Sequence, residues 1–175
     1  MKKNNINGWI FLDKPIGLSS NKALQKVRKI FHNCKAGYVG TLDPLASGFL
    51  PIALGKSTKT IKYLSDCDKE YIFEVTWGMH SSTGDLEGEI KKIDNIYPSL
   101  EQIRNTLRNF IGDYYQAPHN FSSKKVNGKK AYEFARKKIH IDLKKEKKKI
   151  TVLKIIDQVS QSKTLFYTKC SSGTY

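Results

Sequence analysis

Gly8-Trp9-Ile10-Phe11-Leu12-Asp13-Lys14, followed by Pro15-Ile16-Gly17-Leu18-Ser19-Ser20, is the stretch on which the fold turns. Its first seven residues read as a strand, which Pro15 and Gly17 end. A helix should follow, because Ser19 or Ser20 can cap it and Ala23, Leu24, Val27, Ile30 and Phe31 fall on one face at helical spacing. Strand, breaker and capped helix within 24 residues set the pattern for the rest of the chain.

Working outward, residues 34–48 are punctuated by glycine and read as a loop, and Phe49 to Leu54 is an apolar run short enough to be a buried strand. Ser57 is the expected start of a second helix. In Tyr71 to Trp77, Tyr71, Phe73, Val75 and Trp77 alternate with Ile72, Glu74 and Thr76, which suits a strand with one buried face, and Gly84 and Gly88 mark the turn beyond it. Ser99 with Gln102 makes a capping box ahead of Ile103, Leu107 and Phe110, so a third helix is expected over about 100–110. Ile150 to Ile156 and Leu165 to Cys170 are further strands. No repeat or linker interrupts the 175 residues, and strands broken by helices predict an α+β fold in one domain.

Composition narrows the functional classes. Thirty-one Lys and Arg against sixteen Asp and Glu leave a formal charge of +15, which favours a polyanionic partner over a neutral metabolite. Only Arg28, Arg104, Arg108 and Arg136 are arginines, so compositional drift towards lysine is the competing explanation for charge taken alone. Clustering argues against drift: Lys124, Lys125, Lys129, Lys130 and Arg136 lead into Lys144, Lys145 and Lys147 to Lys149, with Tyr132 and Phe134 interleaved, a pattern suited to holding looped RNA by charge and stacking. Cys34, Cys67 and Cys170 have no disulfide or zinc spacing. Met1-Lys2-Lys3-Asn4-Asn5 leads into no apolar run of signal-peptide type, and no stretch is long enough to be a membrane helix, so the expectation is a soluble, cytoplasmic protein with reduced thiols.

The chemistry has to sit on a loop. Phosphate-binding glycine loops, HExxH and GxSxG are all missing from the sequence, which leaves carboxylates. Asp43 stands in Gly40-Thr41-Leu42-Asp43-Pro44-Leu45-Ala46-Ser47-Gly48, held out of the helical region by Pro44. A rigid loop presenting one acid is a plausible catalytic device, although Asp-Pro alone is more often an ordinary turn.

Five segments in order resemble the TruB-type tRNA pseudouridine synthases. These are Asn7 to Pro15 with Gly17 to Asn21; Gly40 to Gly48; Asp68-Lys69-Glu70-Tyr71; Ser123 to Arg136; and Cys170-Ser171-Ser172-Gly173-Thr174-Tyr175. The resemblance implies a pseudouridine synthase catalytic domain over 1–175, a mixed and mostly antiparallel sheet flanked by helices, with an RNA-gripping basic insertion at about 119–149. It implies isomerisation of uridine-55 in the tRNA T-loop without cofactor or metal, by a monomer, with tRNA held by its T-loop and elbow and no membrane involved. Asp43 would be the nucleophile; Tyr71, Tyr175, Tyr38 and Lys14 would contact substrate; Lys124, Lys125, Lys129, Lys130 and Arg136 would contact RNA. Two departures qualify it. The family's Gly-His-Thr-Gly is Gly37-Tyr38-Val39-Gly40 here, and the isoleucine and arginine that follow Gly-Thr-Tyr, the arginine being the aspartate's partner, have no counterpart after Tyr175. The chain therefore looks truncated and is expected to be weakly active at best. A non-catalytic RNA-binding or tRNA-remodelling fragment, a guide-RNA-dependent synthase acting on ribosomal RNA, and a small basic protein without RNA affinity are the alternatives.

Overall fold

The computed structural model describes residues 6–118, 125–126, 128–130, 134, 139 and 143–174. The chain divides into two compact units, Met1–Cys67 and Asp68–Tyr175.

In the first unit, β1 (Gly8–Lys14), α1 (Ser20–Ile30), β2 (Ala36–Tyr38) and β3 (Gly48–Leu54) follow one another, and a 3-10 turn at Gly55–Thr60 runs into α2 (Ile61–Ser65). The sheet order is β1-β3-β2, with antiparallel pairing throughout. Ser19 is the helix cap, accepting from the Lys22 amide at 3.3 Å, which leaves Ser20 for another task. Ala23, Leu24 and Val27 pack against Leu50, Ile52 and Leu54 to form the core. Phe31 packs against its edge, but Ile30 is 71% exposed: it lies one turn past Val27 at the helix end, just before the chain reverses through the left-handed His32 and Asn33. The expected loop over 34–48 contains β2, three residues too short to carry a periodicity. Pairing with β3 is what makes them a strand.

In the second unit, β4 (Lys69–Thr76), β5 (Met79–Ser81), β6 (Ile90–Lys92), α3 (Leu100–Leu107), β7 (Gly112–Gln116), β8 (Lys125–Val126), β9 (Lys129–Lys130), β10 (Glu146–Ser160) and β11 (Lys163–Cys170) follow in order. The main sheet runs β4-β11-β10-β7, again antiparallel, with β5-β6 and β8-β9 as separate hairpins. The capping box at Ser99 and Gln102 forms, and α3 gives way to a 3-10 turn at Arg108–Phe110. One face of the sheet holds Phe73 stacked on Phe166 at 5.4 Å, with Trp77 edge-on to Phe166 at 6.3 Å. The other carries the Lys163–Glu74 and Lys169–Glu70 pairs across β11 and β4. β10 is far longer than expected because its first residues, Glu146 to Ile150, are lysine-rich and become strand by pairing with β7. Among the described residues no helix is long and apolar enough to cross a membrane.

Candidate active site

Asp43 projects from the loop between β2 and β3, and the end of β1 with the segment after it holds that loop at three points. Ser20, 1% exposed, grips Leu42 by both of its backbone polar groups: its hydroxyl donates to the Leu42 carbonyl and accepts from the Leu42 amide, each at 2.9 Å. The Gly17 amide donates to the Pro44 carbonyl at 2.7 Å, with Gly17 at φ 82°, a conformation glycine adopts at little cost. Lys14 supplies the third tether. Its Nζ donates to the carbonyls of Pro15 at 3.0 Å and Leu18 at 2.7 Å, and across the loop to that of Ala46. Asp43 thus lies between two residues fixed on either side, and the Ala46 amide closes the turn onto the Asp43 carbonyl at 3.1 Å.

Side-chain alternation decides where the carboxylate points. Leu42 packs against the core of the first unit, so Asp43, the next residue, faces outward and is exposed. Fixing the backbone of a loop residue removes the rotational freedom that would otherwise be lost when substrate arrives, which is how a scaffold pre-orients a reactive group.

Lys14 was expected to contact substrate. It is 0% exposed, and its ammonium has three protons and three carbonyl acceptors, so in this structure its reach ends at the loop. Three carbonyl dipoles offset the cost of burying the cation. Tyr38, expected to stand in for a histidine, ends β2 with its ring half-buried against the core around Leu50 and Ile52. Tyr71 lies in β4 opposite Thr168, on the face shared with Phe73 and Phe166, and is partly exposed there. One strand-pair further along, Cys170 ends β11 and leads into a turn in which the Thr174 hydroxyl donates to the Ser171 carbonyl at 2.9 Å. Burial pushes the Cys170 thiol above its ordinary pKa, which suits a packed thiol rather than a reactive one. The second unit therefore brings Tyr71 and the Cys170–Thr174 turn to the same end of its sheet.

Of the basic residues singled out, Lys125 and Lys130 pair across the β8-β9 hairpin, as do Val126 and Lys129, with Gly128 at φ 80° between the strands. Lys124, Arg136 and Tyr175 lie outside the described residues. Sequence reasoning missed the part played by Ser20 and Gly17. The signal was there in weak form, since two adjacent serines at a helix start supply one more hydroxyl than a cap needs. Among the described residues no group of three or more His, Cys, Asp or Glu side chains could hold a metal ion.

Residues 28–175 match the family model described as TruB family pseudouridylate synthase, N terminal domain. The chain is 43% identical over 174 residues to the tRNA pseudouridine synthase B of Caulobacter vibrioides, covering 99% of this chain and 56% of that protein. It is 41% identical over 170 residues to that of Bartonella quintana, covering 97% and 63%. It thus spans little more than half the length of these curated relatives. Among solved structures, a Cbf5-Nop10-Gar1 complex superposes with a TM-score of 0.69 at 26% identity, over 98% of this chain and 41% of that one. An H/ACA ribonucleoprotein bound to a substrate RNA containing 2'-deoxyuridine gives 0.64 at 25%, over 96% and 39%. With the antiparallel α+β architecture and the pinned Asp43 loop already described, these similarities place the chain in the TruB family of pseudouridylate synthases.

Proposed function

We propose that this protein converts uridine-55 in the T-loop of tRNA to pseudouridine, with Asp43 as the nucleophile. The observation that carries the reading is the exposed Asp43 carboxylate on a loop tied at Leu42, Pro44 and Ala46. Relatives named tRNA pseudouridine synthase B support the reaction and the substrate. The structural neighbour bound to a substrate RNA supports RNA as the partner.

A uridine in a folded loop is stacked and must be flipped out, at about a few kcal/mol, before any side chain can reach its glycosidic bond. Tyr71, on the exposed part of its sheet face, is the residue assigned to stack on the flipped base. Attack by the Asp43 carboxylate on the ribose C1′ or the uracil C6 allows the bond between C1′ and N1 to break. The base then turns and C5 bonds to C1′; the bond that Asp43 made to C1′ or C6 breaks and returns the free carboxylate, the C5 proton leaves, and N1 takes a proton. Lys14, Gly17 and Ser20 hold the loop during these steps. The lysines of the β8-β9 hairpin and of β10 are assigned to the phosphates of the tRNA elbow. Metal and cofactor have no part in this scheme, which we place in the cytoplasm with the protein acting as a monomer.

The test is Asp43→Asn in a single-turnover tritium-release assay on uridine-labelled tRNA. Product formation should fall below detection while tRNA affinity is unchanged. Retained turnover would exclude Asp43 as nucleophile. A wild-type chain that binds tRNA without turnover, and whose biological effect survives the mutation, would instead indicate an RNA-remodelling protein.

A further inference from the structure

We propose that the solvent face of α1 is a second contact for the tRNA backbone, with Lys22, Lys26 and Lys29 neutralising its phosphates. The proposal rests on the reading above that tRNA is the partner, and it adds a surface in the first unit to the one assigned there to the β8-β9 hairpin and β10. α1 has two faces: Ala23, Leu24 and Val27 are buried in the core, while Asn21, Lys22, Gln25, Lys26 and Lys29 are exposed. The three lysines recur at i, i+4 and i+7, so at about 1.5 Å per residue they form one row about 10 Å long. Among the described residues none of the three has a carboxylate partner. The helix starts at Ser20, whose hydroxyl clamps Leu42, so a backbone held along this row is bound by the same unit that carries the Asp43 loop.

Like charges four residues apart weaken a helix, and a glutamate four residues before a lysine strengthens it. The residues at those places before Lys26 and Lys29 are Lys22 and Gln25. The neutral side chains bond with one another instead: Gln25 donates to Asn21 at 3.5 Å and accepts from Arg28 at 3.0 Å. In the second unit, by contrast, Lys147, Lys163 and Lys169 are paired with Asp113, Glu74 and Glu70. The imbalance extends through the first unit. Over the 52 residues from Lys14 to Ser65, Asp43 is the only acid against nine Lys and Arg, where the chain's average of 16 Asp and Glu in 175 would give about five. Drift towards lysine adds cations but does not by itself remove carboxylates. A field left unbalanced in this way attracts a polyanion, whose phosphates relieve the repulsion along the row. An anionic lipid surface fits less well, because the apolar side chains that an interfacial helix inserts are already in the core.

The experiment measures tRNA affinity by filter binding from about 50 to 200 mM salt for two triple variants of the 175-residue chain. One is Lys22→Gln, Lys26→Gln and Lys29→Gln; the other, a control with the same change in net charge, is Lys91→Gln, Lys92→Gln and Lys163→Gln on β6 and β11. The α1 triple should bind about tenfold more weakly or worse at the low-salt end, and its log–log salt slope should flatten by about two units, since each phosphate contact contributes about 0.7 to 0.9. Its melting temperature should hold or rise, because the repulsion along the row is gone and Gln and Lys are comparable helix formers. The control should keep the wild-type slope. An α1 triple that binds like wild type would overturn the proposal and leave the assigned reaction standing. An equal loss in the control would also overturn it, by tracing the effect to net charge alone. Salt-dependent binding that is lost in the α1 triple, in a chain without turnover, would defeat the assigned reaction and uphold this surface. A wild-type chain without salt-dependent tRNA binding would overturn both.

Discussion

Lys14 and Lys147 are the same residue type put to opposite uses, and the contrast separates the loop region of the first unit from the basic strand of the second. Lys14 is fully buried, its ammonium shared among three carbonyls, one of them across the Asp43 loop. Lys147 is 60% exposed and reaches Asp113, itself half exposed, across β10 and β7 at 2.8 Å. The buried lysine makes one loop conformation the only one that satisfies it, whereas the exposed one can exchange its partner for water at little cost. Net charge counts the two equally. Placement decides that one fixes a loop and the other contributes to a surface.

The sharpest way to break this comparison is Lys14→Met, which keeps the stem and removes the ammonium. Three buried carbonyls lose a donor, so denaturant unfolding of the first unit should show a loss of about 3 kcal/mol. A variant as stable as wild type would mean that the buried ammonium contributes nothing. The exposed side of the comparison is sharpened by Lys129→Glu with Lys130→Glu. Melting should not change, while tRNA affinity falls and the salt dependence flattens by about one unit of log–log slope for each phosphate these lysines no longer neutralise. Identical titrations from about 50 to 200 mM salt would remove this hairpin from the RNA surface.

Ser20→Ala is a milder intrusion on the loop. It removes both bonds to Leu42 and should cost about 1 kcal/mol, together with a measurable slowing of turnover as Asp43 loosens. Full activity would show that Lys14 and Gly17 suffice to fix the loop. The smallest effect is reserved for Lys147→Ala, where thermal melting should be indistinguishable from wild type at neutral pH. The Lys147 ammonium holds the Asp113 carboxyl below its ordinary pKa, and Asp113 in turn raises that of Lys147. A lowered carboxylate contributes stability above its unfolded pKa and loses it as pH falls through the folded value. A raised lysine contributes below its unfolded pKa and loses it as pH rises through the folded value. The pair's contribution is therefore flat across neutral pH and fades at both extremes. A clear loss of melting temperature at pH 7 would show that solvent screens this pair less than its exposure implies.

Legibility in the sequence varied with how local the signal was. β1 starts and ends where its apolar run and Pro15 place it, Ser19 caps α1, and Ser99 with Gln102 forms its box, because each depends on residues within one turn of one another. β2, β5, β6 and β7 escaped notice, being three to five residues long and strands only by virtue of a partner. The site divides in the same way. Pro44 and the flanking glycines singled Asp43 out only as an acid on a stiff turn, and its role as nucleophile came from the resemblance and is what Asp43→Asn tests. Substrate contact for Lys14, by contrast, was carried over from resemblance, and it is the burial of that residue, a consequence of packing 32 residues away in sequence, that redirects it to the loop.

By itself the sequence determined the alternation of capped helices and apolar strands, the family, the basic surplus and the acid in a glycine-bounded loop, since these are properties of composition and short-range pattern. Tertiary structure alone decided that the end of β1 and the residues after it are what hold that loop, and that Ser20 clamps while Ser19 caps. A hydrogen bond between distant segments exists only once packing has brought them within about 3 Å and excluded the water that would otherwise take its place.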